Sequence, residues 1–118
     1  MDLKEFHDTL KTFNTCCPIF IAFSDKYRQQ LIFDIIEAGK EGINVTNLSA
    51  KSHLSRPAIS HHLKVLKDSG IVTPRKVGTQ IFYQVTLSEK FDILRELING
   101  INKMMDKVEL IEPKLENK

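Results

Sequence analysis

Apolar residues recur at helical spacing at both ends of the chain. Steps of three and four residues near the start predict an amphipathic helix from Leu3 to about Thr15, and a longer stripe near the end predicts a helix over about 88–110. The first stripe contains Leu3, Phe6, Leu10 and Phe13, and the second contains Phe91, Leu94, Ile98, Ile101, Met105 and Val108. The second stripe is two-sided, and such a stripe at the end of a small domain commonly packs against a partner chain. The last helix is therefore a candidate for a dimer interface, the alternative being that it covers the chain's own core.

Two shorter helices are predicted next. The first is capped by Ser24 and ends near Gly39, because serine hydroxyls bind free N–H groups and glycine suits a helix end. The second is capped by Thr46 and covers about 47–52. The predicted buried face of the first contains Leu31, Ile32, Ile35 and Ile36.

A further helix, capped by Ser55 and ended by Gly70, separates two kinds of side chain. At 100° per residue, Ile59, Leu63 and Leu66 share one face. The opposite face contains Ser60, His61, Lys64 and Lys67. The β-branched stretches 71–76 and 79–86 then flank Gly78 and predict a hairpin, in which Pro74 indicates a short or edge first strand.

Composition and charge narrow the class of protein. With 118 residues, 42% apolar residues and a net charge of +2, the chain fits one globular domain. The longest apolar run, Ile19 to Phe23, is far shorter than the roughly 20 residues of a membrane span, and no signal peptide is visible, so we expect a cytosolic protein. Residues 51–80 carry six basic side chains against Asp68 alone. This basic stretch suggests an anionic partner, unless it is merely a solvated surface.

The order helix, turn, helix, hairpin is typical of a winged helix-turn-helix, a mainly α fold with a small β-hairpin. In the predicted helix that Ser55 caps, Arg56 lies near the start. An arginine side chain at this position can donate two hydrogen bonds to a guanine in the major groove. The other candidate DNA contacts are Ser55, Ser60 and His61 for phosphates or bases, Lys64 and Lys67 for phosphates, and Arg75 and Lys76 near the hairpin tip. No catalytic motif occurs, so we expect neither an enzyme nor a cofactor.

The stretch from Phe23 to Val85 resembles the ArsR/SmtB family of small bacterial repressors. The resemblance lies in Ala22-Phe23-Ser24-Asp25 with Arg28, in Leu48, in Leu54-Ser55-Arg56-Pro57-Ala58-Ile59-Ser60-His61-His62-Leu63-Lys64-Val65-Leu66, in Ser69-Gly70-Ile71-Val72, and in Arg75-Lys76-Val77-Gly78-Thr79-Gln80-Ile81-Phe82-Tyr83. It implies a homodimer built from the first and last helices, which binds a double-stranded DNA operator with two recognition helices and releases it when an inducer binds. It also adds Pro57, Thr79 and Gln80 to the expected DNA contacts.

The expected organisation is a single domain over 1–112 with a frayed tail over 113–118. Within the domain, the expected parts are dimerisation helices at 1–22 and 88–110, a helix-turn-helix at 46–69 and a wing at 71–86. Metal-sensing members of the family have thiols where this chain has Asn44 and Thr46, and others have ligands at both ends of the last helix. Here Leu87 and Glu89 stand at its start and no histidine follows His62, so no metal site is expected.

Adjacent cysteines leave several interpretations open. Cys16 and Cys17 are core residues, a redox or persulfide sensor, or ligands for a metal or metalloid, although adjacent side chains on a helix diverge. His62 is expected to be a core histidine with one hydrogen bond, and His53 to adopt a left-handed conformation in the turn. Two alternative functions remain: a thiol-based redox-sensing regulator, and a winged-helix module that binds proteins without specific DNA binding.

Overall fold

The computed structural model describes residues 2–86 and 89–108. Its elements, in chain order, are α1 (Leu3–Thr15), α2 (Cys17–Phe23), α3 (Lys26–Glu37), a 3₁₀ turn (Gly39–Glu41), α4 (Val45–Ser52), α5 (Arg56–Asp68), β1 (Val72–Val77), β2 (Gln80–Val85) and α6 (Glu89–Lys107). This is the mainly helical fold with an antiparallel hairpin that the sequence predicts. The predicted start of the last helix at 88, its end at 109–110 and the tail over 113–118 lie outside the described residues.

The helix α2 was not predicted, and its presence corrects the assignment of Ser24. Pro18 has no N–H and cannot continue α1, so the helix ends at Cys16 and a new one begins with the proline in its first turn. Ser24 closes α2, with its hydroxyl donating to the Ile21 carbonyl at 2.8 Å. The N-cap of α3 is instead Asp25, whose carboxylate accepts from two N–H groups of the first turn.

Two other details of the helices differ from prediction. The side chain that caps α4 is Asn44, which accepts from the Asn47 N–H at 2.8 Å, so α4 begins before Thr46. Ile36 is half exposed, because α3 turns Leu31 and Ile35 towards the core and Ile36 away from it. The predicted ends hold, since Gly39 and Gly70, each of which follows the C-cap residue of its helix, have positive φ.

The core lies between α3, α4, α5 and the base of the hairpin. Its fully buried members include Leu31 and Ile35 from α3, Leu48 from α4, and Leu63 from α5. Each helix therefore contributes the apolar face that its sequence spacing predicts. The opposite face of α5 is left in solvent.

The hairpin pairs Val72 with Val85 and continues to its tip at Gly78. Outside it, Ile43 exchanges two backbone hydrogen bonds with Tyr83, at 3.0 and 2.9 Å, so β2 lies between β1 and Ile43. Pro74 lies on the edge strand β1, as predicted, opposite Tyr83 of β2. The backbone N–H and C=O of Tyr83 bond to Ile43, so the N–H that Pro74 lacks removes no hydrogen bond between the two strands. A Cβ at Gly42 would lie 2.6 Å from the Tyr83 carbonyl oxygen, so this approach requires glycine.

The terminal helices α1 and α6 pack side by side in antiparallel directions. The Glu5 carboxylate accepts a hydrogen bond from Lys107 at 2.8 Å. One turn later on α1, Thr9 lies against Gly100, and a Cβ added to this glycine would be 2.9 Å from the Thr9 hydroxyl. As predicted, α6 continues through Gly100. Among the described residues, no helix combines the length and the apolar character that crossing a membrane requires.

Candidate nucleic-acid interface

The exposed face of α5 carries most of the predicted DNA-contacting residues. Ser55 caps the helix by accepting from the Ala58 N–H at 3.2 Å, and Pro57 lies in the first turn. The exposed residues of this helix include Arg56, Pro57, Ser60, His61, Lys64 and Lys67. Since Ile59, Leu63 and Leu66 are buried beneath them, the basic face has one fixed orientation.

A turn of three residues connects α4 to α5 and sets the angle between them. His53 has φ 64° and ψ 18°, the left-handed conformation that the sequence predicts. The hydroxyl of Ser49 donates to the Leu54 carbonyl at 2.6 Å, and the hydroxyl of Ser52 accepts from the Leu54 N–H at 3.3 Å. These bonds hold the turn, and the residues at the start of α5, Arg56 and Pro57, are exposed.

A buried arginine holds α5 against the N-terminal half of the chain. Arg28 donates from Nε to the Ala22 carbonyl at 3.0 Å and from Nη2 to the Ile21 carbonyl at 3.0 Å, which satisfies the end of α2. Its Nη1 lies 3.2 Å from Nδ1 of His62 on α5. Because guanidinium only donates, Nδ1 must accept and His62 must be neutral in this arrangement. One side chain thus joins α2, α3 and α5.

The surroundings of His62 favour that neutral form. Burial lowers the pKa of His62 below its usual value, and the charges of Arg28 and His61 lower it further, while Asp25 opposes the shift. His62 is half-buried and has the hydrogen bond expected of a core histidine. The role of Arg28 was not predicted, although its spacing from Leu31 and Ile35 places it on the buried face of α3.

The hairpin residues that were predicted to contact DNA have different surroundings. Lys76 and Thr79 are exposed near the tip, and Gln80 accepts from the Asn44 side chain at 2.7 Å. Arg75 instead donates to the Glu41 carbonyl, lies 3.5 Å from the Glu41 carboxylate and covers the Phe82 ring at 5.7 Å. Strand alternation thus turns Arg75 towards Glu41 and away from Lys76, and this orientation disfavours, without testing, its predicted contact with DNA.

Lys64 pairs with Asp68 across one turn of α5 at 2.9 Å, with both side chains largely exposed. An exposed pair of this kind contributes about 0–1 kcal/mol, so a phosphate can readily replace the carboxylate as partner. Lys64 is therefore available to DNA, as is Lys67 in the last turn of the same helix.

The two cysteines have different surroundings. Cys16 is fully buried, and burial raises the pKa of its thiol, with the charges of Cys17 and Glu96 acting in the same direction. Cys17 is exposed, and its Sγ lies 3.8 Å from the Phe13 carbonyl oxygen. Within 2–86 and 89–108, no three His, Cys, Asp or Glu side chains form a group that could hold a metal ion.

The helices α1 and α6 carry an apolar surface made of large exposed side chains. Its exposed members are Leu3, Phe6, Leu10, Phe13, Ile98, Ile101, Met105 and Val108. Two residues of the predicted stripe differ: Leu94 is half-buried, and Phe91 packs edge-to-face on Phe23 within the chain at 6.0 Å.

The chain is similar to a bacterial family of regulatory proteins and to several known transcriptional regulators. The family model described as bacterial regulatory protein, arsR family, matches residues 40–73, which include α4, the turn and α5. An uncharacterised helix-turn-helix transcriptional regulator of Methanocaldococcus jannaschii is 30% identical over 80% of this chain and all of that protein. The arsenical resistance operon repressor of Staphylococcus aureus is 34% identical over 67% of this chain and 72% of its own.

A repressor and a solved structure extend the likeness. The transcriptional repressor SdpR of Bacillus subtilis is 28% identical over 72% of this chain and 91% of its own length. The structure of an ArsR-like transcriptional regulator from Rhodococcus sp. RHA1 superposes with a TM-score of 0.69 at 28% identity, covering 82% of this chain and 88% of that one.

Proposed function

The chain belongs to the ArsR family of DNA-binding transcriptional regulators, and from that premise we propose that it is a homodimeric repressor that binds a pseudo-palindromic operator. The family consists of regulators and not enzymes, in agreement with the lack of catalytic motifs in the sequence. The observation that carries the proposal concerns α5. This helix is capped by Ser55, and it has one exposed basic face opposite a buried apolar face. Such a helix fits the major groove of a duplex.

We assign the roles of the contacts by position along α5. Arg56 lies in the first turn, where side chains of a recognition helix reach base edges, and its fork of donors matches guanine. Ser60 and His61 follow on the exposed side and donate to bases or phosphates. Lys64 and Lys67 lie one and two turns further along and bind phosphates, and Lys76 with Thr79 extends the contact from the hairpin.

The homodimer is proposed from the apolar surface of α1 and α6. Leu3 is 69% exposed and Met105 is 56% exposed, and such large apolar side chains are seldom left in water over a whole helix pair. Pairing two copies through this surface would place two α5 helices on one side of the dimer. Binding to both half-sites would then block transcription, and an inducer would release the cytoplasmic repressor from its operator.

Selection of bound sequences from a pool of random duplexes tests this function. We expect an inverted repeat whose half-sites are about one helical turn, or roughly 34 Å, apart. The variant Arg56→Ala serves as the control and should lose one preferred base pair in each half-site. A pool with no enriched sequence would instead favour the competing function, a winged-helix module that binds an acidic protein.

A further inference from the structure

An apolar groove of about 410 Å³ lies where α2, α3, the hairpin and α6 meet. Phe33 and Ile36 on α3 form one wall, Val85 at the end of β2 forms another, and Phe91 at the start of α6 closes the far side. None of the described residues that line it is charged. The groove therefore offers an uncharged surface built from several elements.

The groove leaves large apolar side chains in water. Phe33 is 66% exposed and Ile36 is 50% exposed, although neither lies on the α1 and α6 surface proposed to bind a second copy. Its inner wall is fixed, because Phe91 packs on Phe23 at 6.0 Å and the Gln29 amide donates to the Phe23 carbonyl at 2.6 Å. A fixed apolar wall opposite exposed apolar side chains is typical of a ligand site that is largely formed in advance.

We propose that this groove binds a small, uncharged, mainly apolar molecule, and that the bound molecule regulates operator binding. Its volume lies within the range of about 300–1,000 Å³ that small-molecule sites occupy. A charged ligand would lose its hydration without gaining a partner among the lining residues. The lining curves around a pocket from several elements rather than forming one helical stripe, so its shape fits a small molecule better than a second copy's helix.

The position of the groove provides the coupling. Phe91 lies in the first turn of α6, which carries the proposed dimer surface. Val85 is the last residue of the hairpin, and Ile71 directly precedes it. Ile71 also donates its N–H to the Leu66 carbonyl of α5 at 2.9 Å. A molecule held between Phe91 and Val85 therefore changes the angle between the dimer helices and the DNA-binding part. This regulation rests on the proposed function, whereas the ligand site itself does not.

Fluorescence of N-phenyl-1-naphthylamine, an uncharged apolar probe, tests the site on the full chain without DNA. We expect saturable binding of one probe per chain, and Ile36→Gln should weaken it by at least about tenfold, since one buried aliphatic contact is worth that much. Ile21→Gln is the matched control, because Ile21 is equally apolar and 60% exposed but lies outside the groove. Circular dichroism and sedimentation velocity establish that both variants fold and associate like the wild type.

The results separate the possible occupants. Equal probe binding by the wild type and Ile36→Gln would overturn the site, and so would binding that disappears as the protein concentration rises, because the groove would then be covered by a second copy. With operator DNA present, a saturating probe should shift the operator Kd by about 5- to 150-fold, the usual range of coupling between two sites. An unchanged operator Kd would overturn the regulation. Failure to bind any operator while the probe still binds would count against the proposed function alone.

Discussion

Arg28 offers the sharpest test of how the helix α5 is held in place. The side chain is buried and donates to the carbonyls of Ile21 and Ala22 and to His62. Arg28→Met keeps a similar length and apolar stem but removes all three bonds. Each hydrogen bond from a charged donor contributes about 1.5–3 kcal/mol, and water can rehydrate the Ile21 carbonyl. The two other bonds therefore give an expected loss of about 3–6 kcal/mol in the free energy of unfolding.

Urea unfolding at one fixed chain concentration measures this loss, since association would otherwise change the apparent stability. The matched control is Arg95→Met, because Arg95 and its partner Asp92 are both largely exposed and their pair should contribute under about 1 kcal/mol. Combining Arg28→Met with His62→Phe in a double-mutant cycle should give a coupling energy above about 0.5 kcal/mol, as for residues in direct contact. A loss for Arg28→Met no greater than for Arg95→Met would refute the role of Arg28.

Three other predictions concern α5 and the hairpin. Arg56→Ala should cost about 1–3 kcal/mol of operator binding and relax one base preference per half-site in a binding assay, and equal weakening on every sequence would make it a phosphate contact instead. Lys64→Ala should reduce the slope of the logarithm of the binding constant against the logarithm of the salt concentration by about one unit per lost contact. Arg75→Ala should leave this slope unchanged, because Glu41 holds that guanidinium. The reverse pattern would contradict both assignments. The pKa of His62 is lowered in the folded chain, so protonation favours unfolding, and stability should be full above pH of about 6.5 and fall below it. Thermal unfolding between pH 7 and 5 checks this, since His62→Gln should remove the fall and His61→Gln should keep it.

The ends and the two faces of α5 could be predicted from the sequence, because the residues that define them lie close together in the chain. Ser55 and Gly70 mark the two ends of α5, and the spacing of Ile59, Leu63 and Leu66 defines its buried face within one helix. The exposed face then follows from 100° per residue, with no knowledge of the rest of the fold.

The parts that were missed depend on contacts between distant residues or on weak local signals. Arg75 is held by Glu41, which lies 34 positions earlier in the chain, and no spacing rule connects the two. The helix α2 is short and almost entirely apolar, so it shows no periodicity, although Pro18 in its first turn was an available signal. Asn44 and Asp25 replace the expected caps because several capping residues occur close together and packing selects among them.

Fluorescence anisotropy of the reduced protein on DNA from upstream of its own gene tests the central claim most directly. The comparison is a scrambled duplex of equal length, measured across the same salt series, with Arg56→Ala as the variant that should lose the preference. We predict a preference of at least about 10³ for the upstream DNA and a stoichiometry of two chains per duplex. Equal, weak binding to both duplexes would contradict sequence-specific recognition of that DNA by the exposed face of α5.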